Sequence, residues 1–306
     1  MRDLVIVHGR AQGHKDSRAL KAEWIAAWAA GLKKSGLQLP LDDTQIHFPY
    51  YGDTLDQLTA GQAPEDAARI VVRGGRPEGT GELSQEEKAF IEAVLFESIA
   101  RFEPDPEEAV RRALPADAVV VERGVLNWAW VQAILGALDR HVPRTSTLIA
   151  TLVTRDVFQY LTNDMIRAVI DEGAASAIPE NRETVVVSHS LGTVVAYNVL
   201  RQNARRRNWS VPLFVTLGSP LATTVVKRKL AGIKPIGFPA GVGAWFNAMD
   251  ERDVVSLYPL DQTNFPLTPA VSNKTDVHND TPNAHGISGY LGDIDVARQI
   301  HDAVLS

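Results

Sequence analysis

A chain of 306 residues, 45% hydrophobic and 22% charged, has ordinary globular composition and can bury a large core. Its net charge of −6 at pH 7 and isoelectric point near 5.8 argue against a nucleic-acid binder, which carries a basic stripe. The absence of cysteine excludes disulfides, thiolate catalysis and thiolate zinc sites.

No apolar run approaches the ~20 residues of a membrane-spanning helix. The start, MRDLVIVHGR, passes directly into a short apolar run rather than a secretory signal, so the expected location is cytoplasmic. Residues 4–7 (LVIV) read as a parallel strand covered on both faces. A loop with Gly9 and Gly13 follows. Residues 17–34 then show helical spacing, with Leu20, Trp24, Ile25, Trp28 and Leu32 on one side and Gly36 as a stop. Residues 45–48 (QIHF) form the next strand candidate, ended by Pro49. The β-α-β order predicts a parallel crossover.

Residues 52–150 break this rhythm. They hold a Gly-rich loop at 74–81 and helical patterns at 84–102 and 119–138, separated by EPDPEE at 103–108. The stretch reads as a mostly helical insertion. Beyond it, 156–177 reads as one helix, 184–187 as a strand and 191–205 as a helix. Arg205, Arg206 and Arg207 suit that helix's C-terminal dipole better than a phosphate. Strands are expected at 213–217, 244–248 and 271–277, and a closing amphipathic helix at 294–305. The alternation predicts a doubly wound, mostly parallel α/β sheet.

Between strand and helix lies the stretch VVVSHSLGTVVAY, residues 185–197. It has the pattern small-x-Ser-x-Gly, with Ser188, Ser190 and Gly192. Small flanks let a nucleophile sit in a strained turn at a strand end, at the N-terminus of the next helix. The plainer reading is that Ser188 or Ser190 only caps the helix. The pure strand signal before the stretch and the helix after it favour the nucleophile reading.

SHSLGT at 188–193, VHGR at 7–10 and TLGSPL at 216–221 together resemble the α/β-hydrolase superfamily, especially its lipases and esterases. Ser188 stands where the first glycine of the elbow is more usual. The resemblance implies an α/β-hydrolase core over 1–54 and 151–306, with 55–150 as a helical cap. It also implies a triad in the order Ser, acid, His. His285, in the loop NAHGISGYL, fits best as base, and similar His-x-x-x-x-Tyr loops occur in lipase-like relatives; His278 is its rival. Asp253 fits the acid better than Asp250, because relatives show an Asp followed closely by Val. His189 is expected to be a packing residue, and His8 to belong to the oxyanion-loop backbone.

The oxyanion hole implied is the backbone N–H of Leu191 with that of Arg10. Trp128 and Trp130 are candidates for binding an acyl chain, against the competing view that they pack the insertion onto the core. The expected activity is cleavage of carboxylic esters through an acyl-serine intermediate. A peptidase or acyltransferase using the same residues, or a non-catalytic binding protein on the same fold, are the alternatives. No cofactor is expected. The segment holding His8, His14 and Asp16 lacks metal-ligand spacing, so no metal is expected either. The expected partner is a small-molecule or lipid ester; the sequence leaves the oligomeric state open.

Overall fold

The structure is a computed structural model that describes residues 1–9, 16–50, 84–114 and 128–306. Arg10, His14, the 74–81 loop, residues 119–127 and the Trp128 side chain lie outside the described part.

Six strands form one sheet in the order β2-β1-β3-β4-β5-β6. They are β1 (Asp3–Val7), β2 (Ile46–His47), β3 (Thr184–His189), β4 (Val211–Leu217), β5 (Val242–Ala248) and β6 (Ser272–Lys274). Every neighbouring pair is parallel. Each expected strand has a counterpart. The β-branched runs are those that parallel sheets bury on both faces, and β1 and β3 are buried along their whole length.

The two faces have separate cores, as the two-residue strand period requires. Val5, Val7, Val186 and Phe214 join one cluster; Leu4, Ile6, Val185, Val187 and Val215 join the other. The second face is covered by α1 (Ser17–Lys34) and by the closing helix, here numbered α10 (Ile294–Leu305). Both helices have the bounds expected from their periodicity. Trp24, Trp28 and Leu32 of α1 pack there with Val296, Ala297 and Ile300 of α10. The Trp28 indole N–H donates to the Ala297 carbonyl at 3.0 Å, which ties the two helices together.

The remaining long helices belong to the other cluster, where the helix after β3 packs on β1 and β3 and the others pack chiefly on helices. They are α2 (Gln85–Ala100), the short α3 (Pro106–Arg111), α4 (Trp128–Leu138), α5 (Arg144–Thr162), α6 (Asp164–Ser176), α7 (Leu191–Asn203) and α8 (Thr224–Ile233). Phe90, Leu95, Ile134 and Leu138 of α2 and α4 share a hydrophobic cluster with Val5, Val7 and Val186 of the sheet. The five-residue α9 (Ile287–Leu291) lies just before α10.

Some helices differ from the sequence expectation. The single helix expected at 156–177 is two, α5 and α6, and α5 starts earlier and runs unbroken across residue 150. Asn163 makes the break. It leaves helical geometry at φ −101° and ψ 107°, and its side chain accepts from the Met165 and Ile166 N–H groups. Asn caps competently because its short side chain reaches the unsatisfied first-turn donors. EPDPEE, expected to separate helices, begins one. Asp105 caps α3 by accepting from Glu108 N, and Pro106 opens the first turn, where its missing N–H costs nothing. Helices α8 and α9 have no counterpart in the expectation.

Chain order reverses beside β1: β2 follows it on one side and β3 lies on the other. The carboxyl ends of β1 and β3 therefore flank a topological switch point, where open α/β sheets form their ligand crevice. His8 and Gly9 leave β1 there, and Ser190 leaves β3. Among the described residues no helix is long and apolar enough to cross a membrane.

Candidate active site

Ser190 sits between the last residue of β3 and the first of α7, at φ 56° and ψ −130°. A non-glycine residue at positive φ costs about 1–3 kcal/mol and persists only where its surroundings enforce it. Several contacts do so here. Ser190 N–H donates to the Leu217 carbonyl at 3.1 Å. The Ser190 carbonyl accepts from Thr193 N–H at 2.9 Å and from Thr193 Oγ1 at 2.7 Å. Ser219 Oγ completes this buried group at 2.8 Å from Thr193 Oγ1.

The small flanks are explained by contact. A Cβ on Gly192 would lie 2.3 Å from the Val7 carbonyl oxygen, and a Cβ on Gly9 would lie 2.6 Å from Ser190 Cβ. Ser188 is small enough to donate its hydroxyl to the Val215 carbonyl of β4 at 2.9 Å. The helix-cap reading of these serines does not hold. Ser190 is the N-cap residue of α7 by position, but its side chain makes no cap hydrogen bond.

The Ser190 hydroxyl faces another partner. His285 Nε2 lies 2.9 Å from Ser190 Oγ, and His285 Nδ1 lies 2.8 Å from Asp253 Oδ2. A carboxylate only accepts, so Nδ1 carries the ring proton and Nε2 is left to accept from the serine hydroxyl. All three residues are buried: Ser190 is 2%, His285 5% and Asp253 1% exposed.

Asp253 is held from more than one side. Its Oδ1 accepts from Val255 N–H at 2.9 Å. Its Oδ2 accepts from the Tyr290 hydroxyl at 2.6 Å as well as from His285. Gly218, at φ 55°, makes room for this group. A Cβ there would lie 3.0 Å from the Tyr290 ring, 3.1 Å from Asp253 Oδ2 and 3.2 Å from the His285 ring.

Both rival residues sit elsewhere. Asp250 accepts from Arg252 through its backbone at 2.7 Å and its guanidinium at 2.7 Å and 3.1 Å, and from Asn279 N–H at 2.7 Å. Burial raises its carboxyl pKa, but those hydrogen bonds outweigh burial and hold it below the usual range. Asp250 thus clamps the loop beside Asp253. His278 has a side chain 75% exposed and pairs with Asp280 at 3.0 Å.

Buried rings surround the pair of histidine bonds. His8 is stacked on Phe48 at 5.3 Å, and its Nδ1 lies 2.7 Å from the Gly9 carbonyl oxygen. Burial lowers its pKa from 6.5 to about 4, so the ring is neutral at neutral pH. His189 lies 4.7 Å from the His285 ring, with Nε2 2.8 Å from the His285 carbonyl oxygen. Burial, then the neighbouring His285, drives its pKa well below the ordinary value. Tyr290 is driven well above its ordinary value by burial, then by the Asp253 charge, so it remains a donor. From the sequence, His189 reads only as a packing residue and Tyr290 only as part of the His-x-x-x-x-Tyr spacing. The signal available for both was their distance along the chain from Ser190 and His285.

Leu191 is the first residue of α7, so its N–H has no acceptor within the helix and lies beside Ser190. Trp130 is placed in the helix-packing core. It is 1% exposed, and its indole N–H donates to Glu92 at 2.9 Å. A separate cleft of ≈ 620 Å³ has Lys34, His278, Asp280, Thr281, Ser288 and Asp293 in its lining; none of Ser190, Asp253 and His285 lines it. Among the described residues no group of His, Asp and Glu is arranged to hold a metal ion.

The chain matches no protein-family model, no curated protein and no solved structure.

Proposed function

We propose that this chain is a serine hydrolase of the α/β-hydrolase superfamily that cleaves carboxylic esters through an acyl-serine intermediate. The observation that carries the reading is the hydrogen-bonded series Ser190–His285–Asp253, with Ser190 at positive φ on the strand-to-helix turn. A serine, a base in reach of it and an acid orienting the base are the parts that activate a hydroxyl nucleophile.

In this mechanism Ser190 Oγ attacks the ester carbonyl and His285 Nε2 takes its proton. Asp253 stabilises the imidazolium that forms. The charge on the carbonyl oxygen is stabilised by the Leu191 N–H and by the positive end of α7. Arg10 N–H is the second donor by resemblance. His285 then protonates the leaving alcohol, and the acyl group stays on Ser190. A water, deprotonated by His285, attacks the acyl carbonyl. Its proton returns to Ser190 through His285, and the carboxylic acid leaves. Residues 55–150 act in this reading as the cap that shields the acyl group from bulk water.

The experiment is hydrolysis of short p-nitrophenyl esters by wild type and by Ser190→Ala. Turnover by wild type and its loss in a folded Ser190→Ala supports the reading. Wild-type turnover in the variant overturns it.

A further inference from the structure

His189 carries a role beyond the reaction scheme. We infer that His189 is a positioning residue for His285: its ring N–H holds the base's own backbone carbonyl while its ring lies against the base's imidazole. The inference rests on the reading of His285 as the base.

The polar contact is between His189 Nε2 and the His285 carbonyl oxygen, 2.8 Å apart. A carbonyl only accepts, so Nε2 carries the proton. The ring is 8% exposed. Its neighbours are rings throughout: His285 at 4.7 Å, Trp24 at 5.9 Å and Tyr290 at 5.9 Å. Consecutive residues at the end of β3 therefore grip His285 at its two ends. Ser190 meets the imidazole, and His189 meets the carbonyl.

That grip matters because His285 is on a loop, not on a strand or helix. The loop turns at Ala284, with φ 55°, and its backbone is fixed by the Thr281 carbonyl, the Asn283 side chain and the Thr281 hydroxyl. Those partners belong to the same loop, and its Pro282 and Asn283 carbonyls accept from Thr145 and Ser146 of α5 at 3.2 Å and 3.3 Å. His189 is the contact that ties the His285 backbone to the strand bearing the nucleophile. Burial keeps its ring neutral, so no second cation stands beside the imidazolium when His285 takes the serine proton.

Packing and hydrogen bonding separate by substitution. His189→Phe keeps an aromatic ring against Trp24 and Tyr290 but cannot donate. His189→Gln places an amide N–H near the Nε2 position but has no ring. A displacement of about 1 Å in a catalytic group costs about 10²-fold in rate. The experiment measures kcat and KM for a short p-nitrophenyl ester, together with the low-field proton resonance of His285 Nδ1–H in the same proteins. The expected result for His189→Phe is a kcat loss of about 10²-fold with KM nearly unchanged, and a broadened or missing resonance. His189→Gln is expected to retain the resonance and most of kcat. Should His189→Phe fail to fold, His189→Asn, whose amide is too short to reach the carbonyl, is expected to behave as described for it. Equal losses in the Gln and Phe variants, or a Phe variant with wild-type kcat and resonance, overturn the inference. The resonance needs no turnover. A wild type inert toward esters therefore counts against the proposed reaction, while the spectra still decide the role of His189.

Discussion

The Tyr290 hydroxyl and the Asp253 carboxylate are 2.6 Å apart, and the oxygen that accepts from Tyr290 is the one that accepts from His285. Tyr290 is 0% exposed, and its hydroxyl also accepts from the Asp250 N–H at 3.2 Å. Tyr290→Phe therefore leaves Asp253 with one donor fewer and strands a buried N–H. A hydrogen bond to a charged group is worth about 1.5–3 kcal/mol. Chemical denaturation of the variant is expected to show a stability loss of about 2 kcal/mol. Its kcat is expected to fall only about tenfold, one decade being about 1.4 kcal/mol, because His285 and the Val255 N–H still hold Asp253. Unchanged stability would show that the hydroxyl is not bonded as described.

The two neighbouring carboxylates separate by role. Asp253→Asn presents a donor to His285 Nδ1 and favours the wrong ring tautomer, which costs about 10⁴ in kcat in the serine-protease template. A loss of that order is expected here, with stability less affected than activity. Asp250→Asn is expected to do the opposite. It weakens the clamp on Arg252 and Asn279 and leaves the base oriented. Parallel measurements of kcat and denaturation midpoint check this, and a larger kcat loss in Asp250→Asn contradicts it.

Acid stability should report the buried His8. Its pKa is about 4 in the folded protein against an ordinary 6.5. Between those values the unfolded chain binds a proton that the folded one does not, so stability falls as pH drops from about 6.5 to about 4. His8→Phe keeps a ring on Phe48 and Tyr50 but cannot titrate. Its unfolding free energy is expected to fall less steeply than wild type over that window. Parallel curves would show that His8 does not titrate in this way.

Trp130 tests the proposed cap. Its burial and its bond to Glu92 make it a packing residue. Trp130→Ala is expected to cost about 3–5 kcal/mol of stability, as large-to-small core changes do. The dependence of ester hydrolysis on acyl-chain length is expected to stay as in wild type. A profile shifted between short and long chains would instead put the indole in the acyl site.

Much of this architecture is legible in the sequence because its signals are local. LVIV and VVV can satisfy both faces of a parallel strand, and the apolar spacing of α1 and α10 fixes their bounds. The two-helix break at Asn163 is not legible from periodicity, because the apolar pattern continues across it while the cap bond ends it. Ser190 is legible because the turn needs small neighbours. Spacing alone cannot separate Asp253 from Asp250. Both lie on one loop, and which carboxylate turns toward His285 depends on the turn closed by the Asp253 N–H on the Asp250 carbonyl, at 3.0 Å. His189 is not legible as more than packing, since its partner is a backbone carbonyl 96 residues away.

Covalent labelling tests the central claim most directly. Wild type is treated with a fluorophosphonate, and the adduct is located by intact and peptide mass spectrometry. An activated serine displaces fluoride and retains the phosphonyl group, so a single adduct on Ser190 is predicted. It should be absent in Ser190→Ala and strongly slowed in His285→Ala. A wild-type protein that takes no adduct, or an adduct that forms at an undiminished rate in Ser190→Ala, would contradict Ser190 as the nucleophile.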